Sequence, residues 1–375
     1  MPEGDYIVVL KDRTDPMKMA SEHAQAHGAR MMHIYRHALR GYAAHLSAEA
    51  VAEIAADPRV AFVQPDGVVS TMVQSQPTGI DRVEADLSPT AGLDGVDTGV
   101  DVDVAVLDTG VDLQHPDLNI SRRKDCSTRE RGVDDGNGHG SHVAGIIGAR
   151  DNNIGVVGVA PGARIWPIKV LAADGSGSFS DVICGIDFVT GNASKIEVAN
   201  MSLGGNGLDK PCGTEPDALH EAICASVAAG VTYVVAAGNS RSDASRTVPA
   251  SYDEAITVSA LADFDGKPGG AGGPTCRFET DDTFAEFSNY GADIDLIAPG
   301  VCILSTWTNG GYNTISGTSM SSPHVAGGAA LYLANHPGAS PAEVKAALQA
   351  AGSSDWNNVD DPDGIKEPLL NVAGL

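Results

Sequence analysis

The chain has 375 residues, of which 42% are hydrophobic and 19% charged, and this composition excludes a long coiled coil or a mostly disordered chain. Its 49 acidic and 24 basic side chains give a formal net charge of −25, which disfavours nucleic acid and anionic membranes as partners because both are negatively charged. Residues 1–5 lack the basic start and apolar core of a signal peptide. We therefore expect either an intracellular protein or one whose leader has been removed.

Residues 1–70 are predicted to form a small domain of their own. Strands are predicted over residues 6–10, 40–46 and 59–64, with one helix over residues 17–28 and a second beginning after the N-cap Ser47. These elements fit the β-α-β-β-α-β order of a small α+β, ferredoxin-like fold. Residues 71–80 are polar and rich in turn residues, which is typical of a linker.

Residues 81–375 alternate between short apolar strands and helical segments. Strands are predicted over residues 102–107, 165–171, 198–203, 231–237 and 255–260, and helices over 140–149, 180–189, 217–229 and 323–335. The strands are continuously apolar, as in a parallel sheet covered on both faces. The predicted fold is therefore α/β, a doubly wound, mostly parallel sheet with helices on both faces and its active site at the carboxyl ends of the strands.

Six cysteines show neither a C-x-x-C pair nor the spacing of a zinc site. Disulfides are one interpretation, but six cysteines allow about fifteen complete pairings and the sequence does not choose among them. Buried free thiols are the alternative for Cys184 and Cys224, which lie in apolar helical segments.

Three short motifs carry residues suited to acyl transfer. Asp108 ends a buried strand, His139 begins an apolar helix after a glycine-rich turn, and Ser319 lies in a loop of small residues. A seryl hydroxyl needs an imidazole to take its proton, and the imidazole needs a carboxylate to orient it. Asn239, at the end of a further strand, offers an amide for the oxyanion. His142 lacks the spacing of a zinc-protease helix, so we expect a packing or hydrogen-bonding role for it.

These motifs identify the chain as similar to the subtilisin-like serine peptidases. With F-S-N-Y-G at 287–291, I-L-S-T-W at 303–307 and I-S-G-T-S-M at 315–320, it most resembles the proteinase K and aqualysin branch. The resemblance runs from about residue 77 to residue 375. The first 70 residues resemble the inhibitor-type propeptide of the same family.

The resemblance implies Asp108 as the orienting carboxylate, His139 as the general base and then acid, and Ser319 as the nucleophile. The Asn239 side chain and the Ser319 backbone N–H would form the oxyanion hole. The implied substrate-binding residues are small, which favours an open apolar pocket and broad specificity with apolar P1 side chains. They are Gly175, Ser176, Gly177, Ser202, Leu203, Gly204, Gly205, Ala236, Ala237 and Gly238.

The propeptide resemblance implies a self-processing zymogen whose first segment is its own chaperone and inhibitor. We expect cleavage between Val69 and Gln74, with the bond between Ser70 and Thr71 as the preferred position. Calcium is implied without an organic cofactor, at the carbonyls of Asp253 and Ala255 together with Asp295, because calcium prefers carbonyl and carboxylate oxygens.

The interpretation is therefore a secreted, monomeric serine endopeptidase that acts on proteins and peptides. Two alternatives stay open. One is a subtilase-fold binding or inhibitory protein without catalysis, and the other is an intracellular peptidase. The cysteines and the long propeptide argue against the intracellular alternative.

Overall fold

The computed structural model describes residues 4–66, 74–214 and 216–375, and the chain divides into two compact units, Met1–Thr71 and Met72–Leu375. The first unit contains β1 (Gly4–Leu10), α1 (Pro16–His27), β2 (Arg30–Tyr35), β3 (Gly41–Leu46), α2 (Ala48–Ala56) and β4 (Val60–Pro65). Its antiparallel sheet has the order β2-β3-β1-β4. The predicted β-α-β-β-α-β fold is confirmed.

Capping residues fix the helices of this first unit. The Asp15 side chain accepts hydrogen bonds from the first backbone N–H groups of α1, and Gly28 ends that helix at a φ of 65°. Ser47 caps α2 as predicted. The pattern along the sequence did not locate β2, because its side chains are mostly exposed or half-buried and do not alternate clearly.

The second unit follows with α3 (Thr78–Arg82), β5 (Asp103–Asp108), β6 (Lys124–Asp125), α4 (His139–Gly148), β7 (Arg164–Lys169), α5 (Phe179–Thr190), β8 (Ile196–Met201), β9 (Gly205–Asn206), α6 (Ala218–Ala228), β10 (Thr232–Ala236), β11 (Thr247–Val248), β12 (Ile256–Ala262), β13 (Thr283–Phe284), β14 (Leu296–Pro299), β15 (Ile303–Thr306), β16 (Tyr312–Ile315), α7 (Thr318–Asn335) and α8 (Pro341–Ala351). Single 3₁₀ turns cover Ala85–Leu87, Ala244–Arg246 and Thr308–Gly310.

The main sheet has the order β13-β12-β10-β8-β5-β7-β6, and β14 also pairs with β12. Its pairs are parallel except for β12 with β13. Both faces of β5 are buried, because Val104 and Val106 pack in one apolar cluster and Ala105 and Leu107 in another. The predicted parallel α/β sheet covered on both faces is confirmed.

The ends of these elements position the candidate site. Asp108 is the last residue of β5, His139 is the first residue of α4, and Ser319 lies in the first turn of α7. The predicted start of α7 at Pro323 is wrong. The helix begins at Thr318 and contains Pro323 in its interior.

Three disulfides join the cysteines, as Cys126–Cys184, Cys212–Cys224 and Cys276–Cys302. The alternative of free thiols at Cys184 and Cys224 is therefore wrong. Although each lies on an apolar helix, a partner cysteine on a neighbouring loop comes within bonding distance. Among the described residues, no helix combines the length and apolarity that crossing a membrane requires.

Candidate active site

Asp108 and His139 are in direct contact. His139 Nδ1 donates a 2.8 Å hydrogen bond to Asp108 Oδ1, and the same oxygen accepts the Thr109 N–H at 2.7 Å. Asp108 is fully buried, whereas a quarter of the His139 side chain is exposed. The carboxylate therefore fixes the tautomer of the imidazole and leaves its Nε2 free to exchange a proton.

The local charges decide the protonation of His139. Burial is the largest single influence and lowers the pKa of His139, whereas the charge of Asp108 and its hydrogen bond raise it. Asp135 adds a further attraction for the protonated ring, and the net result is a pKa raised above the ordinary histidine value. The imidazole is therefore better able to accept a proton than a histidine in water.

Asp135 organises the turn that presents His139, and the sequence interpretation missed this role. Its carboxylate accepts hydrogen bonds from Thr109 Oγ1, from the N–H groups of Asn137 and Gly138, and from Ser141 N and Oγ. A carboxylate just before a predicted helix is the usual signal of a capping role and could have identified it. Asp135 thus ties the strand that carries Asp108 to the start of α4.

Ser319 lies beside Ser202 at the base of the cleft. Ser319 Oγ is 3.3 Å from the Ser202 carbonyl oxygen and donates to it. In return, Ser202 Oγ donates to the Ser319 carbonyl oxygen at 2.8 Å. The predicted nucleophile is therefore held in place by the residue predicted to begin one wall of the substrate pocket.

The amide of Asn239 is oriented by Thr318, which the sequence interpretation quoted only as part of a motif. Asn239 Oδ1 accepts hydrogen bonds from Thr318 N at 2.8 Å and Thr318 Oγ1 at 3.0 Å. With its oxygen occupied, Nδ2 is the atom of the amide left to donate to a group in the cleft, which Asn239 lines.

Two adjoining cavities form the cleft. The first has a volume of about 550 Å³ and is lined by His139 together with Gly175, Ser176 and Gly177. The second, of about 300 Å³, is lined by Gly205, Ala236, Gly238, Asn239 and Ser319. Both are lined by Ser202, Leu203 and Gly204. His139, Ser319, Asn239 and most of the predicted substrate-binding residues therefore line one cleft, whereas Asp108 is fully buried and contacts His139.

Two details differ from the predicted substrate site. Ala237 lines neither cavity, because it is fully buried and its carbonyl accepts a hydrogen bond from Asn289 at 2.9 Å. Its neighbours Ala236 and Gly238 take the cleft side of the chain. Gly175 and Ser176 lie at the end of a turn, because the Gly175 N–H donates to the Ala172 carbonyl and the Ala172 N–H donates to the Ser176 carbonyl, both at 2.9 Å. The pairing of residues 175–177 with an extended peptide stays a prediction.

His142 is held in the core by the expected hydrogen bonds. Its Nε2 donates to the carbonyls of Ile303 at 3.0 Å and Asn313 at 3.1 Å. Burial lowers the pKa of His142 to about 3, so the ring is neutral. His142 therefore joins α4 to strands β15 and β16, and its Nδ1 is buried without a hydrogen-bond partner.

The predicted calcium ligands surround a lysine. Lys345 Nζ donates to the carbonyl oxygens of Ala255 at 2.9 Å and Asp253 at 3.2 Å, and it lies 2.8 Å from Asp295 Oδ2. The prediction of calcium at this position does not fit, because the ammonium group already supplies the positive charge and fills the space between the oxygens. The predicted cleavage positions Ser70 and Thr71 lie outside the described residues.

Comparisons with known proteins identify the families to which the two parts of the chain are similar. Residues 99–364 match the family described as "Subtilase family", and residues 5–72 match "Peptidase inhibitor I9". The "Extracellular serine proteinase" of Thermus sp. (strain Rt41A) is 40% identical over 376 residues, covering 92% of this chain and 84% of the relative. "Subtilisin E" of Bacillus subtilis (strain 168) is 36% identical over 357 residues, covering 94% and 86%.

A solved structure described as a cold adapted subtilisin-like serine proteinase is also similar. It is 36% identical and superposes with a TM-score of 0.62, covering 79% of this chain and 97% of that one. The match to the family covers well over half of the chain, and the relatives are themselves serine proteinases. The chain therefore belongs to the subtilase family, as a subtilisin-like serine endopeptidase with an inhibitor-type propeptide at its N-terminus.

Proposed function

We propose that Asp108, His139 and Ser319 are the catalytic triad of this endopeptidase. The observation that carries the proposal is the 2.8 Å hydrogen bond between His139 and Asp108 at the edge of the cleft that Ser319 also lines. In the reaction, Ser319 Oγ turns from the Ser202 carbonyl toward His139, loses its proton to Nε2 and attacks the peptide carbonyl carbon.

Asn239 Nδ2 and the Ser319 N–H then stabilise the tetrahedral oxyanion. As the C–N bond breaks, protonated His139 gives its proton to the leaving amine, and an acyl-enzyme remains on Ser319. Water attacks this ester with His139 again as the base, which releases the second product and restores the hydroxyl.

We propose an apolar P1 preference with broad tolerance. The small residues Gly204, Ala236 and Gly238 around the second cavity support it, because they leave room for a large side chain. Leu171, Phe179 and Leu203 make the first cavity mainly apolar, which suits apolar residues further along an extended substrate.

We propose that residues 1–70 are the propeptide, residues 71–80 the processing linker and residues 81–375 the catalytic domain. The enzyme cleaves itself between Ser70 and Thr71. The processed enzyme acts outside the cell as a monomer. The name of the Thermus relative and the three disulfides support an extracellular location. N-terminal sequencing of the processed enzyme tests the cleavage position, and a Ser319→Ala chain should stay full length.

Calcium is proposed at a different position from the one that Lys345 fills. Asp263, Asp265 and Asp281 offer carboxylate oxygens within 4.8 Å of one another, and Asp263 Oδ2 is buried without a hydrogen-bond partner. Arg82 Nε is 3.1 Å from that oxygen but gives its single hydrogen to Asp282. Oxygen ligands of this kind suit calcium. Loss of a calcium-dependent rise in melting temperature in Asp265→Asn would support the site.

The test of the proposed function compares the wild-type chain with Ser319→Ala on a chromogenic peptide with an apolar P1 residue. We expect turnover by the wild type and a loss of roughly 10⁶-fold in kcat for the variant, as found for removal of a triad nucleophile. Absence of turnover by processed wild-type protein would favour the alternative of a binding or inhibitory protein.

A further inference from the structure

Two cysteines, a histidine and a glutamate meet beside the loop that leaves the substrate cleft. Residues 207–217, here called the cysteine loop, run from β9 to α6 and contain Cys212. His220 and Cys224 are four residues apart on α6, so they share one face of that helix. Glu254 comes from the chain just before β12. The ligand atoms of these four side chains all lie within 4.8 Å of one another, which is close enough for them to share one metal ion.

Cys212 has the neighbours of a metal ligand, although its sulfur is bonded to that of Cys224. Cys212 Sγ lies 3.0 Å from Glu254 Oε1 and 3.8 Å from His220 Nε2. A disulfide sulfur has no proton, so it donates no hydrogen bond to the carboxylate. Zinc–sulfur and zinc–nitrogen bonds of about 2.3 and 2.0 Å put tetrahedral ligand atoms about 3.6 Å apart. The two contacts of Cys212 lie on either side of that spacing.

His220 is oriented as a metal-binding histidine is. Its Nδ1 donates a 2.8 Å hydrogen bond to the Lys210 carbonyl, and the ring is 1% exposed and stacks on Tyr252 with the ring centres 3.9 Å apart. Nε2 is therefore the nitrogen that faces the sulfur of Cys212 and, at 2.6 Å, Glu254 Oε2. A backbone carbonyl at the other ring nitrogen is the usual partner of a histidine that binds a metal.

We propose that Cys212, His220, Cys224 and Glu254 bind one zinc ion when the disulfide between the two cysteines is reduced. Two molecules of a small thiol break the S–S bond, leave two protein thiols and become a disulfide themselves. Zinc then binds the thiolates, and the two thiol protons pass to the solvent. Two thiolates, an imidazole and a carboxylate provide the four ligands that structural zinc prefers.

The other disulfides of the chain have no such surroundings. Within residues 4–66, 74–214 and 216–375, neither Cys126–Cys184 nor Cys276–Cys302 belongs to a group of three or more side chains placed to hold a metal. Cys212 and Cys224 are both partly exposed, so a small thiol can reach their disulfide. Reduction would therefore create a zinc site at this disulfide and not at the other two.

The location indicates what the ion would do. The cysteine loop follows β9 directly, and Gly205 of β9 lines the second cavity of the substrate cleft. The Cys212–Cys224 disulfide ties this loop to α6. Zinc would replace the covalent link by a coordinated one and add Glu254 to it. The wall of the substrate cleft would therefore stay attached to α6 under reducing conditions.

The test uses the full-length Ser319→Ala chain, so that self-digestion does not interfere. The chain is reduced without oxygen by a water-soluble phosphine, which becomes its oxide, and is titrated with Co²⁺ and then with Zn²⁺. Cobalt bound by thiolates shows a charge-transfer absorption that cobalt bound by histidines alone lacks. We expect this absorption for one Co²⁺ per reduced chain, its loss when Zn²⁺ displaces the cobalt, and no such absorption in the oxidised chain.

Paired serine variants locate the site. Cys212→Ser/Cys224→Ser should lose the absorption, whereas Cys126→Ser/Cys184→Ser removes a different disulfide and should keep it. Zinc should raise the melting temperature of the reduced parent chain but not that of Cys212→Ser/Cys224→Ser. The absence of thiolate absorption in the reduced parent, or an equal absorption in Cys212→Ser/Cys224→Ser, would overturn the proposal.

A second pair of variants tests the carboxylate. Glu254→Gln should weaken zinc binding to the reduced chain at least roughly 10-fold, the smallest loss typical even for an outer partner of a metal ligand. Asp253→Asn is the matched control, because it removes the same charge at the exposed neighbouring residue and should leave the zinc affinity unchanged. Equal zinc affinities in Glu254→Gln and Asp253→Asn would overturn the part assigned to Glu254.

Discussion

The Ser202 hydroxyl donates a 2.8 Å hydrogen bond to the carbonyl oxygen of Ser319. In a regular helix that carbonyl would accept the N–H of the residue four positions later, but this residue is Pro323, which has no N–H. Ser202 thus supplies the donor that the proline lacks. The same contact joins the wall of the substrate cleft to the turn that holds the nucleophile.

This relationship predicts a coupling between Ser202 and Pro323. Ser202→Ala should lower the free energy of unfolding by about 1–3 kcal/mol, because the part-buried Ser319 carbonyl loses its donor. In a Pro323→Ala background the restored helical N–H can replace that donor, so the cost of Ser202→Ala should fall by half or more. Urea unfolding of the four chains of this double-mutant cycle, all in Ser319→Ala, measures the coupling. Additive effects of the two substitutions would contradict it.

The pKa of His139 predicts the pH dependence of catalysis. The base must be neutral to accept the Ser319 proton, and the charge of Asp108 favours the protonated form, so kcat/KM should rise with pH through a midpoint above the ordinary histidine pKa of about 6.5.

In Asp108→Asn the charge of Asp108 is lost, and burial becomes the main influence on the pKa of His139. Because burial lowers this pKa, the midpoint of the kcat/KM profile should move below about 6.5. The maximal rate should fall roughly 10⁴-fold, because the wrong tautomer is favoured. A pH profile of kcat/KM for both chains checks this. An unshifted midpoint in the variant would contradict the part assigned to Asp108.

Thr318 is predicted to act on catalysis through Asn239. Removing the donor itself, in Asn239→Ala, should lower kcat roughly 10²–10³-fold, as found for removal of one oxyanion donor in subtilisin. Thr318→Val removes the Oγ1 hydrogen bond that orients the amide. We expect a smaller fall in kcat with KM nearly unchanged, because the amide matters only when the oxyanion forms. Thr318→Ser keeps the hydroxyl and should restore kcat. If Thr318→Val loses activity mainly through a higher KM, Thr318 does not act by orienting the Asn239 amide.

Much of the fold could be predicted because its signals are local. The buried strands of the main sheet are continuous apolar runs, and Ser47 marks the start of α2 with its own side chain. The start of α7 could not be predicted in this way. A proline normally marks a helix start. Pro323 lies inside α7 instead, because the Ser202 hydroxyl, from a distant part of the sequence, donates the hydrogen bond that the proline cannot supply.

The candidate site shows the same difference between residues that local sequence signals identify and residues that only the folded chain brings into place. Asp108, His139, Ser319 and Asn239 could be proposed from the sequence because each lies in a short motif at or near the end of a strand or the start of a helix. The lysine at the expected calcium position could not be identified. Lys345 lies on α8, and only the folded chain brings its ammonium group between two carbonyls of a distant loop.

Lys345 is predicted to replace a metal ion. Lys345→Met should lower the free energy of unfolding by about 1–3 kcal/mol, because Asp295 and two carbonyls lose their cationic partner. Calcium should recover part of that loss, since the same oxygens then form an open cation site. Melting temperatures of Lys345→Met and its parent, measured with chelator and with calcium, should therefore differ less when calcium is present. Lys195→Met, at an exposed lysine, is the control. If calcium leaves the difference in melting temperature between Lys345→Met and its parent unchanged, the prediction is contradicted.

The last prediction concerns two adjacent serines inside α7. Both are fully buried, but Ser322 Oγ lies 2.9 Å from Ser202 Oγ, whereas Ser321 Oγ has no hydrogen-bond partner. Since a buried hydroxyl without a partner is costly, Ser321→Ala should raise the free energy of unfolding by about 1 kcal/mol and leave kcat/KM unchanged.

Ser322→Ala is the matched control, and it should lower the free energy of unfolding by a similar amount, about 1 kcal/mol, because it breaks an existing hydrogen bond. Urea unfolding of both variants in the Ser319→Ala background gives the comparison, and opposite signs are expected. If Ser321→Ala lowers stability as Ser322→Ala does, the Ser321 hydroxyl has a partner in solution that offsets the cost of its burial.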